Sequence, residues 1–442
     1  MSSRRFQDSS EESAASKISS SLPMDINLTN QLSALLDQQR NETLEQHLDF
    51  PDDISPSNIL VRVLSPDSVI STASSFTNFN QGSQTLAAGY RIIGFGQCGL
   101  IFERPGRDYV VKLAMSAYMD ALWTDLVAHL KVWHAFNHYE SECRVPRVFS
   151  YVPENNQEWW KENQPFFIDA PKSATLPAMA LITERILPLP KIAREALITK
   201  YCPQNLQATA SANPTNRDCL ARIYLGRRRP APALLPPNFT LRNFNLCLDQ
   251  MIELGLPIKS YAVTMGKALA VIHWAASVDG YDIEFVLGSE GDTRYSRDLS
   301  QSLGLTAEQL AAMPPHTDLE AMIQTNFKRR TTRMWVLDFN LCNSWEPRVG
   351  WEKPEALIPH LVLAFFENDP YYPLPLMEDD VDKDLWESFA AAYLTVSNHI
   401  LTAPRKDPRL TDLPAKFLNA CVSREKESLS KGLGHGHREH KD

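Results

Sequence analysis

The chain has 442 residues, 43% of them hydrophobic and 9% aromatic, which gives room for about two or three domains with a sizeable core. Its formal net charge of −9 argues against general electrostatic binding to nucleic acid or to an anionic membrane. It has no apolar stretch long enough to span a bilayer and no apolar secretory segment near its start, so we expect no membrane partner and an intracellular protein, cytoplasmic or nuclear. Its seven cysteines are scattered without a Cys-x-x-Cys pair, which favours buried free thiols over a disulfide framework or a zinc finger.

Residues 1–85 are rich in Ser, Pro, Asn and Glu, and we expect them to be largely disordered. Within them, leucines recur at helical spacing over 28–48, which predicts one amphipathic helix. That helix either packs on the ordered body or binds an unknown protein partner.

Residues 86–187 have the pattern of a small sheet with one long helix, which is predicted near 115–136. Gly94, Gly96 and Gly99 form a Gly-x-Gly-x-x-Gly motif between two predicted strands. A dinucleotide-binding turn needs a helix after the glycines, so this context favours a phosphate-binding glycine loop of the kinase type. A plain hairpin turn is the alternative interpretation.

Lys112 lies in an apolar strand, where an unpaired ammonium group is costly, so we expect it to meet an anion. In kinases a strand lysine holds the nucleotide phosphates and pairs with an acid of the next helix. Here that helix offers Asp120 and Asp125, and we favour Asp125; a solvated lysine at a strand edge is the alternative. The strand that ends at Glu184 leads into a proline-rich hinge, where backbone groups from Glu184 to Ile186 are candidates for pairing with an adenine edge.

Residues 188–424 are mainly helical in pattern, with helices predicted at 191–200, 243–254, 258–277, 375–402 and 407–421. Asp279 and Glu284 stand five positions apart before an apolar strand, as the catalytic Asp and the metal-binding Asn do in kinases. We expect Asp279 to be the base and Glu284 to bind Mg²⁺, with Asp282 as a competing base. Asp338, in a Leu-Asp-Phe-Asn string, is the expected second metal ligand. The alternative for the segment from Asp279 to Glu284 is an acidic loop that caps a helix and has no catalytic role.

Residues 289–330 separate these two predicted metal ligands, and we expect them to form an exposed insertion with a helix at 306–313. Residues 425–442 are polar and predict a disordered tail. Its histidines, His435, His437 and His440, offer loose metal binding as the alternative to a plain flexible tail.

Four strings in the chain resemble a family of uncharacterised fungal proteins. They lie at 218–229, at 272–274 with 282–287, at 335–340 and at 368–373, and the resemblance covers about residues 88–422. That family is described only by a domain of unknown function and is sometimes labelled a zinc finger protein. The resemblance therefore implies a fungal source and no settled activity.

These observations predict an α+β fold that is bilobal and protein-kinase-like, with a small sheet-rich N-lobe at 86–187 and a larger helical C-lobe at 188–424. The expected ligands are ATP and Mg²⁺, and the expected activity is phosphotransfer to an unknown acceptor. Four replacements in the kinase pattern, of the loop His, the Asn, the Gly and the helix Glu, weaken the case for catalysis. They leave open, as an equal alternative, a pseudokinase that acts as a binding or scaffold module. A zinc- or DNA-binding regulator is a third hypothesis, and it rests on the family label alone.

Overall fold

A computed structural model describes residues 54–71, 89–96, 99–115, 118–168, 170–171, 174–230, 239–296, 304–316, 319–404 and 406–439. The helix expected at 28–48 lies outside these ranges. The described chain has a mixed α+β fold with two five-stranded sheets. None of its helices is both long and apolar enough to cross a membrane. The cysteines within it, at positions 143, 202, 219, 247, 342 and 421, are all free and buried, as expected.

The described elements begin with helix α1 (Pro56–Leu64) and strand β1 (Val69–Ser71). A sheet-rich part follows, with β2 (Arg91–Phe95), β3 (Gly99–Glu103), β4 (Tyr109–Ala114), α2 (Met119–His138), β5 (Val148–Val152), α3 (Gln157–Asn163) and β6 (Ala180–Glu184). A helix-rich part comes next, with α4 (Lys191–Tyr201), α5 (Gln207–Ala212), β7 (Ala221–Tyr224), β8 (Phe244–Cys247), α6 (Leu248–Leu254), α7 (Ile258–Ala270), β9 (Glu284–Tyr295), α8 (Ala307–Ala312), α9 (Leu319–Met322), β10 (Ile323–Leu337), α10 (Pro347–Glu352), α11 (Pro354–Glu367), α12 (Asp380–Leu401) and α13 (Leu413–Ser430).

The first sheet is antiparallel and has the strand order β2-β3-β4-β6-β5. Side chains alternate along β4, so Val111 and Leu113 are buried in the core of the sheet while Val110 and Lys112 share the opposite face. Helix α2 connects β4 to β5 and buries one face that includes Asp125 and carries Leu122 and Leu126. Lys112 on β4 and Asp125 on α2 are thereby placed near each other.

The second sheet has the order β1-β10-β9-β7-β8, in which β7 and β8 run parallel. Arg222 of β7 pairs with Val286 of β9. Helices α7 and α12 pack closely against each other at Gly266, where a Cβ would collide with the backbone carbonyl of Phe389. The helix predicted at 243–254 differs at its start, where residues 244–247 pair as strand β8 and only Leu248–Leu254 is helical.

The expected exposed insertion at 289–330 is largely a continuation of the β9–β10 hairpin. The two strands pair from Glu284 opposite Leu337 out to Tyr295 opposite Ile323, with an irregularity between Asn326 and Arg330. The far end of this hairpin packs on the core of the first sheet, where Ile323 is buried. Helix α8, by contrast, lies within the predicted span 306–313 and is capped by the Thr306 hydroxyl, which accepts from the amide of Gln309 at 3.2 Å.

The tail also differs from the expected disorder over residues 425–439. Helix α13 continues to Ser430 because Glu425 and Ser428 on its inner face are buried. The chain then turns back, and His435 Nδ1 lies 2.8 Å from the Glu425 carboxylate. The amide of Glu439 donates to the Glu367 carboxylate at 2.7 Å, so these polar residues have partners that their composition did not reveal.

Candidate functional site

A cleft with a volume of about 420 Å³ lies between the two sheets. This is within the usual size range of small-molecule sites, roughly 300 to 1,000 Å³. Its apolar walls come from both sheets and their connections, namely Ile93, Ile101, Val110, Leu181, Ile186, Leu220 and Leu337. Its acidic and basic side chains are Lys112, Asp125, His129, Glu184, Arg185, Asp218, Arg222, Arg242, Glu284 and Asp338. Apolar walls with a small number of converging polar groups are the usual composition of a small-molecule site.

Lys112 is the central charge of the cleft and bridges two carboxylates. Its Nζ lies 2.7 Å from Asp125 Oδ2 and 3.0 Å from Asp338 Oδ1. Burial alone lowers the pKa of Lys112, but the two ion pairs more than offset this and raise it above its ordinary value. Lys112 is therefore a fixed cation. The structure brings Lys112 and Asp125 together, as the spacing indicated, whereas Asp120 is exposed in the first turn of α2.

Two of the three predicted loop glycines line the cleft. Gly94 and Gly96 lie at its edge, and the amide of Gly96 donates to the carbonyl of Gly99 at 2.9 Å to close the turn. A Cβ at Gly99 would come 2.6 Å from the carbonyl of Leu113, so this glycine permits the close approach of β3 and β4. Gly99 thus has a packing role, and Gly94 and Gly96 remain the loop glycines next to the cleft.

Glu184 lies where the first sheet ends and the chain crosses to the helix-rich part. Its carboxylate accepts from the amide of Arg147 at 3.0 Å and from the hydroxyl of Tyr295 at 3.1 Å. Burial raises the pKa of Glu184 to about 7. Of the backbone groups expected to pair with adenine, the amides of Glu184 and Arg185 already donate to the carbonyls of Arg147 and Asp108, at 2.8 and 2.9 Å.

Asp279, the expected base, does not line the cleft. Its residue exposure is 1%, and its carboxylate forms four hydrogen bonds. Two come from the amide and side chain of Asn343, at 2.9 and 3.0 Å, one from the amide of Tyr281 at 3.0 Å, and one from His360 Nε2 at 2.8 Å. Burial raises the pKa of Asp279, but these bonds together bring it below its ordinary value. The geometry gives Asp279 a structural role that fixes the loop before β9.

The competing base, Asp282, is also absent from the cleft wall and has a positive φ of 62° in the turn before β9. His273 is buried, and its Nδ1 lies 2.8 Å from the hydroxyl of Tyr393. Burial lowers the pKa of His273 to about 4, so its ring is neutral at pH 7. None of these three side chains, Asp279, Asp282 and His273, lies in the wall of the cleft.

Glu284 lies in the cleft and is ion-paired to Arg222, which also contacts Asp369 Oδ2 at 3.1 Å. Burial, assisted by the neighbouring carboxylates of Asp338 and Asp369, raises the pKa of Glu284 to about 7 against the effect of Arg222. Sequence reasoning missed Arg222. The available signal was the same as for Lys112, a charged residue within an apolar strand.

A second ion-pair network, also missed, supports the outer wall of the cleft. Arg91 contacts the buried carboxylate of Glu103 and reaches Asp218 Oδ1 at 2.8 Å. Arg185 contacts the other oxygen of Glu103. Asp218 therefore lies in the cleft as part of a neutralised cluster.

The expected magnesium site does not fit these side chains. One oxygen of Glu284 is taken by Arg222, and one oxygen of Asp338 is taken by Lys112. Across the described residues, no group of three or more His, Cys, Asp or Glu side chains is placed to hold a metal ion. In the tail, His435 is bonded to Glu425. The carboxylates that sequence spacing selected are thus paired with side-chain cations.

Comparison with known proteins gives one partial match. Residues 334–405 match the family model DUF3669, whose description is zinc finger protein. No curated protein matches the chain. The matched segment runs from β10 into α12 and beyond, and its single cysteine is the buried, free Cys342. The zinc label therefore has no corresponding ligand set in the part of the chain that the structure describes.

Proposed function

We propose that this chain is a kinase-like protein that binds a nucleotide in the cleft between its two sheets. The observation that carries the proposal is the contact of Lys112 with both Asp125 and Asp338. Kinases use this combination of a strand lysine, a helix acid and a second acid after a strand of the other lobe.

The arrangement of elements around Lys112 supports the same proposal. The lysine lies on β4, the third strand of the first sheet in sequence and its central strand in space, and α2 follows that strand directly. Asp338 follows the end of β10, which belongs to the second sheet. A sheet-rich lobe and a helix-rich lobe that contribute opposite sides of one cleft are what a bilobal kinase-like fold requires. Fold alone does not establish activity.

The proposed ligand contacts follow from the cleft walls. Apolar side chains from the two sides, Val110 and Leu220 among them, form a slot for the base. Lys112 supplies a fixed positive charge for the phosphates, and Gly94 and Gly96 leave the loop backbone open to them.

Binding without phosphotransfer, as in a pseudokinase, is the form of the proposal that the geometry favours. Transfer to an acceptor hydroxyl needs a base within hydrogen-bond reach of it. The carboxylate of Asp279 is buried and makes four hydrogen bonds, so it is not available for that role. The phosphotransferase alternative retains one supporting observation, the cleft-facing Asp338 beside Lys112.

Calorimetric titration with ATP tests the binding proposal. Val110→Phe fills the slot, and we expect it to weaken binding at least about tenfold, which corresponds to about 1.4 kcal/mol. Val381→Phe adds the same atoms at a side chain that is 38% exposed on α12, and it should bind as the wild type does. Absence of heat from the wild type at millimolar ATP, or equal affinities in the two variants, would contradict the proposal. Release of ADP by the bound wild type would favour the transferase alternative.

A further inference from the structure

Arg222 lies beside Glu284, the carboxylate that was expected to bind the metal ion. It projects from β7 and lies between the carboxylates of Glu284 and Asp369. The hydroxyl of Tyr224 donates to the same oxygen of Asp369 at 2.9 Å, which fixes that carboxylate. All three ion-paired side chains are mostly buried, with exposures of 17% for Arg222, 20% for Glu284 and 25% for Asp369. The guanidinium is thus part of the internal structure of the cleft.

The local charge explains why a cation is needed at this point. Glu284 interacts unfavourably with three carboxylates, that of Asp338 in the cleft and those of Asp369 and Asp282 outside its wall. Such a group of carboxylates is stable only with nearby positive charge. A divalent ion supplies it in many nucleotide sites. Here an arginine supplies it, and an arginine stays protonated at all physiological pH values.

Magnesium would have to displace existing ion pairs to enter. It requires nearly octahedral coordination by oxygen atoms, and protein carboxylates usually provide one or two of these. The nearest candidates are Glu284, held by Arg222, and Asp338, held by Lys112. Lys112 itself is buried, and its two partners keep it in place.

A further arginine in the cleft has capacity to bind an anion. Arg242 lines the cleft, and its Nη2 is buried without a hydrogen-bond partner among the described residues. Its guanidinium lies 5.5 Å from the ring centre of Phe95, at the exposed tip of the glycine loop. A buried guanidinium nitrogen without a partner is costly, and a phosphate oxygen would satisfy it.

We infer that the cleft binds the nucleotide free of divalent cations, with Arg222 in place of the metal at Glu284 and with Arg242 as a direct phosphate contact. This inference rests on the proposed function. It identifies the ligand more closely, as a metal-free nucleoside polyphosphate held by lysine and arginine side chains.

The test is ATP titration of the full chain in EDTA and, separately, in excess MgCl₂. We expect the two dissociation constants of the wild type to agree within about threefold. A tenfold or larger gain in affinity with magnesium would overturn the inference and leave the proposed function standing. Absence of binding in both buffers would overturn both. Manganese titration followed by electron paramagnetic resonance gives an independent reading: the wild type should leave the signal of free Mn²⁺ undiminished, and stoichiometric loss of that signal would also overturn it.

Three variants sharpen the test. Arg222→Gln frees Glu284, and we expect it to create a magnesium-dependent gain in ATP affinity of about tenfold, which the wild type lacks. Arg242→Gln should weaken binding by about the same factor in both buffers, and unchanged binding would remove its assigned contact. Arg348→Gln is the matched control, because Arg348 is an exposed arginine that pairs with Glu346 on the surface. It should leave both dissociation constants unchanged.

Discussion

The two carboxylates that contact Lys112 differ in exposure, and this difference predicts unequal responses to mutation. The Asp125 side chain is 4% exposed, whereas that of Asp338 is 29% exposed. Lys112→Met removes the positive charge from both. Asp125 is then left as a buried, unpaired carboxylate, and breaking such a pair costs roughly 3–5 kcal/mol.

Asp338→Asn acts on the more hydrated side of the same site. Lys112 keeps Asp125, and water can reach position 338, so we expect a loss below about 1 kcal/mol. Asp125→Asn removes the buried charge together with its need for a partner. We expect the double variant Lys112→Met, Asp125→Asn to be about 1–3 kcal/mol more stable than the sum of the single losses predicts.

Urea denaturation of the wild type and the four variants at pH 7 measures these differences, provided that the dependence of the free energy of unfolding on urea is the same in all. The reasoning is refuted if Lys112→Met and Asp338→Asn cost the same, or if Lys112→Met costs less than about 1 kcal/mol. Additive losses in the double variant would also refute it, because they would mean that the buried ion pair has no coupling energy.

Three further predictions concern residues around the cleft. Burial raises the pKa of Glu184 from 4.5 to about 7, so the stability that its protonated form contributes should be fully present below pH 4.5 and lost as pH rises through 7. The free energy of unfolding of the wild type, relative to that of Glu184→Gln, should therefore fall by up to about 3 kcal/mol over that interval. A difference between the two proteins that is independent of pH would contradict this. Gly99→Ala places a Cβ 2.6 Å from a backbone carbonyl and should lower the free energy of thermal unfolding by about 1–3 kcal/mol. In Gly96→Ala the nearest atom to the new Cβ is 3.7 Å away, so the loss should be less than about 0.5 kcal/mol. Equal losses in the two variants would contradict the packing argument. Asp279→Asn should destabilise the fold by about 2–4 kcal/mol and leave the ATP dissociation constant unchanged. A variant with normal stability and weaker ATP binding would show instead that Asp279 contributes to the ligand site.

Sequence patterns were informative where the relevant contacts are local or follow a strand period. Alternation along β4 indicated that Lys112 needs an anion, and helical spacing placed Asp125 on the next element. The salt bridge of 2.7 Å between them follows from those two short-range facts. The α+β composition and the position of α8 were likewise accessible, because caps and periodicity act within a few residues.

Spacing along the chain failed where a distant element decides the direction of a side chain. Asp279 stands at the expected interval before Glu284, yet its carboxylate is held by Asn343 and His360, which lie far along the chain. The hairpin formed by β9 and β10 is another case. Its outer half alternates polar side chains, as an exposed insertion does, but it is stabilised by cross-strand pairing and by contact with the first sheet.

The pairing of Arg222 was similarly inaccessible, because its partners Glu284 and Asp369 come from two later parts of the sequence. The pairing of Arg222 affects the expected function more than the course of the hairpin does, because it occupies a predicted metal ligand. Phosphate binding and phosphate transfer depend on different groups, the former on fixed cations and the latter on a free base and a correctly placed metal. In this molecule Lys112 is a fixed cation within the cleft, while the carboxylates expected to provide base and metal ligands are bonded to other side chains of the protein. Under the proposed function, this division of charge favours recognition of the nucleotide phosphates over transfer of a phosphoryl group. The response to EDTA therefore separates the two functions more directly than an activity assay does.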